Sequence, residues 1–293
     1  MEKKYKLTEE TINVGDKTLH RIEALRDFGD VKKGDKGGFV ENEKNLSQRG
    51  DCWVYGNAKV FDNAKVYGYA KVFINANIYG NAQVYNNAKV FGNAEVRGNA
   101  HVYDDAEVYD NAEVYGHAKV CGNSEVCDNA KICDDAKVFD NAIAFENAEV
   151  YGTARVYDNA MVYGNAVVYG KAKVFGHAQV FGNAEIRGDA EVYDKVEVYQ
   201  NAKIFGNAEV FGNAEIRGDA EITSNSDYII FKNRWSSGRC CTWTRSNNMW
   251  KVGCFYGTGE ELIEEAYEDS EKTGEEYRKF VKYVESIIVN GSI

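Results

Sequence analysis

The sequence predicts an all-β solenoid, opened by a short β-rich N-terminal cap and followed by a small α+β module. Three observations carry that expectation. Over residues 54–222 a six-residue unit repeats almost without interruption, as in Val54-Tyr55-Gly56-Asn57-Ala58-Lys59 and Val60-Phe61-Asp62-Asn63-Ala64-Lys65. A short fixed period of this kind marks a solenoid. Within each unit Ala and Val or Ile alternate with charged and aromatic residues, the period of two that belongs to a strand. Gly or Asp followed by Asn or Asp then supplies a sharp corner, because these residues tolerate positive φ. The period is missing from both ends, which divides the chain into an N-terminal cap (1–53), the repeat (54–222) and a C-terminal module (223–293).

In the cap, residues 5–7, 10–13 and 18–25 read as short strands around a turn at Val14-Gly15-Asp16-Lys17. Residues 34–40 form a Gly-rich connector without the Lys/Ser order of a phosphate loop. A solenoid end needs covering, and this segment does so. After residue 222, residues 227–232, 239–245 and 249–255 read as three antiparallel strands, with Asn247-Asn248 as a two-residue turn. That turn sets Cys241 opposite Cys254, as a reduced pair or a disulfide. Thr258-Gly259-Glu260-Glu261 and Thr273-Gly274-Glu275-Glu276 both fit a capping box, so helices follow over 259–270 and 274–289.

Net charge is −11, and the repeat holds 24 acids against 15 bases, so most of the excess sits on the rod. An acidic rod argues against bulk nonspecific binding of duplex nucleic acid. Seven cysteines at irregular spacing and the polar start Met1-Glu2-Lys3-Lys4 point to reduced thiols in a cytoplasm. No apolar run approaches a membrane span. Proline is absent, which suits strands that donate to neighbours throughout.

The unit resembles the hexapeptide repeat of left-handed β-helices, best known from acyltransferases and sugar-nucleotide acetyltransferases. That resemblance implies a left-handed parallel β-helix of triangular coils, three units per coil, with residues eighteen apart stacked. Twenty-nine units then give about ten coils, a rod of roughly 45 Å at the ~4.8 Å strand spacing. His20-Arg21-Ile22-Glu23-Ala24-Leu25-Arg26-Asp27-Phe28, Gly37-Gly38-Phe39-Val40 and Gly50-Asp51-Cys52-Trp53-Val54 resemble the opening region of YdcK-type hexapeptide-repeat proteins. Those are common in phages and prophages and are often labelled transferases. The resemblance implies a phage-borne protein acting in a host cytosol.

Stacking by eighteen turns the repeat into ladders. Asn57, Asn75, Asn93 and their successors to Asn201, then Asp219, line one corner as an amide ladder. Asp110, Asp128 and Glu146 stack as solvated carboxylates or as a Ca²⁺ site; no metal is expected. Cys121, Cys127 and Cys133, spaced by six, fall on three different faces and cannot converge on one ion. They leave a missing ring in each aromatic ladder. Of the four histidines, His20, His101, His117 and His177, any could serve as the general base of an acyltransferase. The loop that walls an acyl-CoA site in that class has no counterpart in residues 54–222. No catalytic residue and no cofactor are therefore expected.

Three function classes follow. The first is a non-enzymatic scaffold that binds or sequesters a host macromolecule or a nucleotide-like ligand, including inhibition of a host defence factor or mimicry of DNA by the acidic rod. The second is an acyl-CoA-dependent acyltransferase, and the third a self-assembling filament. Two surfaces are singled out. Ile143, Phe145, Met161 and Tyr163 make an outward apolar patch on one face, expected to join copies of the chain as a dimer or trimer. On another face, Lys65, Gln83, His101, Lys119, Lys137, Arg155 and Lys173 form a basic ladder. Beside it run Tyr67, Tyr85, Tyr103, Cys121, Phe139, Tyr157 and Phe175, with a notch at Cys121. Bases stack on aromatics for ~1–3 kcal/mol each, so a nucleotide or single-stranded nucleic acid is the ligand class expected there.

Overall fold

Every unit of the repeat folds into a two-residue strand followed by a turn, and the strands stack in parallel at intervals of eighteen residues. The computed structural model describes residues 2–235 and 238–289. Three sheets result. Face I runs from Trp53–Val54 through Lys71–Val72 to Glu215–Ile216, face II from Lys59–Val60 to Glu221–Ile222, and face III from Lys65–Val66 to Glu209–Val210. The chain is thus a parallel β-solenoid of about ten triangular coils. Backbone amides donate one coil onward, as in Lys119 N to Ala136 O (2.9 Å) and Cys121 N to Val138 O (3.0 Å), while many Ala amides close their own corner, as in Ala118 N to Tyr115 O (3.3 Å).

The interior is a column of Ala and Val or Ile with almost no exposure. Burying each Val contributes about 1.5–3 kcal/mol relative to exposure, and every such contact lies within a coil or between neighbouring coils. Ala144 takes a Val position on face I and is fully buried between Val126 and Val162. Ser124 takes an Ala position, and its hydroxyl donates to Cys121 O at 2.8 Å, so the polar group is satisfied.

The corners follow from φ. Gly, Asp or Asn occupies nearly every first corner position at φ near +60° to +75°. The Asp carboxylates add a bond upward: Asp62 accepts from Gly80 N, Asp134 from Gly152 N, and Asp158 from Gly176 N, each at 3.1 Å. Asp128 likewise accepts from Glu146 N at 3.0 Å. Ile74 stands at such a corner with φ +65° and half its surface exposed. A left-handed conformation costs an L-residue roughly 1–2 kcal/mol.

The N-terminal cap is a hairpin of β1 (Tyr5–Val14) and β2 (Lys17–Ala24), joined to β3 (Lys36–Val40). The first two expected strands are one strand with a bulge between Leu7 and Thr11. The expected Gly-rich connector is β3 itself. It pairs antiparallel with β2 and parallel with Lys59–Val60, and so extends face II. A Cβ on Gly37 would lie 2.5 Å from Val54 O, and one on Gly38 2.5 Å from Ala58 O. The glycines therefore serve close approach of backbones rather than flexibility.

In the C-terminal module, four antiparallel strands, Tyr228–Lys232, Cys240–Thr244, Met249–Val252 and Phe255–Gly257, carry α1 (Gly259–Asp269) and α2 (Glu271–Val289). Trp243, Trp250, Leu262, Tyr277, Val281 and Val284 form its core. Two expectations are corrected here. Thr244 pairs with Met249, so the turn is Arg245-Ser246-Asn247-Asn248 and Cys241 faces Val252, not Cys254. The register shifts because Asn247 Oδ1 accepts from Thr244 Oγ1 (2.6 Å) and Asn248 Oδ1 from Trp243 Nε1 (2.9 Å). Both cysteines are free thiols. The capping box at Thr258 and Glu261 is present, but α2 starts earlier than expected, with Ser270 Oγ accepting from Thr273 N at 3.2 Å.

The module also finishes the rod. The last coil has amides with no further coil to receive them, and side chains take that role. Asn225 Oδ1 accepts from Glu209 N (2.8 Å), Thr242 Oγ1 from Glu215 N (3.1 Å) and Ser246 Oγ from Glu221 N (2.7 Å), one on each face. A sheet edge capped in this way is closed to further strands.

Candidate functional site

The site is best built from the charged ladders, because the three faces treat their cations differently. On faces I and II several cations meet a carboxylate one coil on: Lys89 with Glu107 (2.7 Å), Arg97 with Glu113 (2.7 Å), Lys203 with Glu221 (3.5 Å), although Lys59 meets Asn77 and Lys71 stands in register with Lys89. On face III, Lys119 stands in register with Lys137, Lys137 with Arg155, and Arg155 with Lys173. Only at Lys173 does a carboxylate close the series, with Glu191 at 2.6 Å. Among the described residues Lys65, Lys119, Lys137 and Arg155 form no ion pair. Like charges directly opposite on neighbouring strands are destabilising. This stretch therefore holds repulsion that an anion would relieve.

The same stretch is hollowed. A depression of about 450 Å³ lies between the strand residues His101, Lys119, Lys137 and Arg155 and the corner residues Asn99, His117, Asp135 and Thr153. Burial, then the charges of Lys119 and His117, holds the His101 imidazole below the usual histidine range. His101 also sits edge-on to Tyr85, with ring centroids 6.2 Å apart. The corner side chains are acceptors and donors linked along the rod, as in Asn81 Nδ2 to Asn99 Oδ1 (3.0 Å) and Asn99 beside His117 Nε2 (3.5 Å). The depression thus offers three formal cations against the one carboxylate of Asp135, with two imidazoles and the polar groups of Asn99 and Thr153, in one shallow bowl.

Beside the cations runs the ring ladder. Tyr67, Tyr85 and Tyr103 stack at 4.8 and 5.0 Å within 2° of parallel. Phe139, Tyr157 and Phe175 stack at 4.8 and 4.9 Å within 5° of parallel. Ring faces inside each run cover one another, so only edges are presented outward. The two runs are separated by Cys121, whose thiol faces the Tyr103 hydroxyl; burial pushes that thiol up. Cys127 and Cys133 interrupt the ladders of the other faces in the same coil, beneath Tyr109 and Tyr115. A cysteine keeps only the first atom of the missing ring, so the ring ladder is broken at Cys121, between Tyr103 and Phe139.

The apolar patch is assembled as its spacing implies. Ile143 and Met161 are register partners on face I, and Phe145 stacks on Tyr163 at 4.7 Å. All four are half-buried. His20 lies elsewhere, in the cap with Nδ1 3.1 Å from Thr8 O, and His177 is exposed at a different corner. Sequence reasoning missed the corner wall of the depression: Asn99, His117, Asp135 and Thr153. The signal was available, because residues sixteen apart, such as His101 and His117, are diagonal neighbours once eighteen is the coil length.

No helix among the described residues is long and apolar enough to cross a membrane. No curated protein matches the chain. Residues 154–170, which include Arg155 and Tyr157 of the basic face, match a family model described as the YdcK β-solenoid repeat. The match spans about one coil of the rod, so that stretch is similar to the YdcK β-solenoid repeat, and the sheets on either side of it show that the chain folds as a β-solenoid.

Proposed function

We propose that the rod is a non-enzymatic binding scaffold whose face III takes an anionic ligand with a planar base, a nucleotide or single-stranded nucleic acid. The observation that supports this most is the stack of Lys119, Lys137 and Arg155 on successive coils, none of them in an ion pair, on an otherwise acidic rod. Cys121 follows the strand residue Lys119 by two positions, about 6–7 Å in extended chain. That span suits a phosphate held by the cations with its base at the break in the ring ladder. Closed stacks elsewhere on the face leave Cys121 as the place where a base gains two ring faces, and each base so stacked contributes ~1–3 kcal/mol.

The test is fluorescence anisotropy of a labelled oligothymidine with the purified chain across salt concentrations. Binding is expected to weaken steeply with salt, and to be lost when Lys119→Glu and Lys137→Glu are combined, with thermal stability nearly unchanged because both side chains face outward. Binding that survives this double change but is lost with Glu95→Lys and Glu113→Lys would move the functional surface to face II.

A further inference from the structure

Lys4 is a fully buried lysine without a carboxylate partner. Its ammonium nitrogen lies 3.2 Å from Gly50 O, 2.8 Å from Cys52 O and 3.3 Å from Cys52 Sγ, over the ring of Phe28 at 5.0 Å. Buried lysines are rare, and here burial lowers the tendency to hold a proton, which favours the nucleophilic free amine. Cys52 is equally buried, yet its thiol also contacts the carbonyl of Arg49 at 3.7 Å. Arg49 and Gly50 are themselves exposed, so a single turn of chain separates the thiol from solvent. The other cysteines of the rod face tyrosine hydroxyls, and among the described residues only Cys52 has an amine within hydrogen-bond distance.

We propose that Lys4 and Cys52 form a peroxide-responsive cross-linking site that covalently ties the N-terminal hairpin to the first coil. The Cys52 sulfur attacks one oxygen of hydrogen peroxide; the S–O bond forms, the O–O bond breaks, and water leaves after taking up the thiol proton. The product is a sulfenic acid. The Lys4 side chain, already 3.3 Å away, then attacks that sulfur in its free-amine form. The S–N bond forms, the S–O bond breaks, and the hydroxyl departs with one amine proton as a second water. Sulfur is oxidised by two electrons and peroxide is reduced by two; Lys4 supplies only its lone pair and a proton. The resulting sulfenamide closes a loop between residues 48 positions apart. A thiol reductant reopens it by attack on sulfur.

The experiment treats the reduced full-length chain with hydrogen peroxide and maps peptides by mass spectrometry. The expected result is a linked pair of peptides containing Lys4 and Cys52, lighter by two hydrogens, about 2 Da. Trypsin no longer cleaves after Lys4, and dithiothreitol restores both peptides. A product heavier by one oxygen less two hydrogens, about 14 Da, also supports the site: a second hydrogen peroxide supplies the bridging oxygen, takes two further electrons and leaves as water, and the same two residues are joined through N–O–S. In Lys4→Arg, which keeps a cation but offers no free amine, dimedone should label Cys52 as sulfenic acid while wild type stays unlabelled there. The proposal is overturned if wild-type Cys52 gives the dimedone adduct without a linked peptide. It is equally overturned if Cys52 stays reduced while Cys240 or Cys254 oxidises. Both readouts come from the wild-type chain, so they stand whether or not Lys4→Arg folds.

Discussion

The Thr242 hydroxyl accepts the amide hydrogen of Glu215 at 3.1 Å, although the two residues belong to different sheets. This contact replaces a whole missing coil on face I. Thr242→Val keeps the shape and removes the acceptor, leaving a sheltered amide unsatisfied at a cost of about 1–3 kcal/mol. Chemical denaturation should show that loss as a lower midpoint with an unchanged slope. An unchanged midpoint would mean that water reaches the Glu215 amide.

His101 links ligand binding to pH. Its folded pKa is depressed, first by burial and then by Lys119 and His117. Its stabilising contribution is therefore present above the unfolded value of ~6.5 and lost as pH falls toward the folded one. A bound anion favours the imidazolium, so binding takes up a proton and tightens as pH drops from 8 to 6. Anisotropy titrations should show at least a threefold (~0.65 kcal/mol) tighter oligothymidine complex at pH 6. His101→Gln in a His117→Gln background should flatten the profile relative to His117→Gln alone.

Cys121→Phe should restore the ladder between Tyr103 and Phe139. Two new ring contacts at ~0.5–1.5 kcal/mol each predict a chain more stable by about 1–3 kcal/mol. The same ring occupies the break, so oligothymidine affinity should fall about tenfold, while competition by inorganic phosphate at Lys119 and Lys137 persists. Undiminished oligothymidine binding by the stabilised variant would place the base elsewhere.

The patch of Ile143, Phe145, Met161 and Tyr163 gives a separate expectation. If it joins copies of the chain, light scattering should report a dimer or trimer for wild type and a monomer for Met161→Glu, since a charge on the patch cannot be desolvated without a partner. An oligomer that survives Met161→Glu would remove this surface from consideration.

What could be read from the residues tracks the range over which the physics acts. Val54, Val60 and Val66 announce the strand because each repeats a local rule, and the eighteen-residue interval that the hexapeptide resemblance implies places Lys119, Lys137 and Arg155 on one face. The ring ladders and the break at Cys121 follow from the same arithmetic. The C-terminal register did not, because it is set by two asparagine side chains reaching back to Thr244 and Trp243 rather than by a backbone turn preference. β3 was read as a connector because glycine usually signals flexibility, whereas Gly37 and Gly38 admit the carbonyls of Val54 and Ala58. The pairing of Lys4 with Cys52 has no sequence signature. It exists only once the hairpin folds over the first coil.

The stacking interval has a consequence for engineering and for natural length variants. Removing eighteen residues from the repeat shortens the rod by one layer and leaves every ladder aligned with the module beyond Ile222. Removing six shortens it far less but advances the phase by a third of a turn. The basic ladder upstream of the cut would then continue into a face that carries Glu downstream, and the module would point a different way relative to the ligand surface. Direction, not only length, is therefore encoded in the number of hexapeptides.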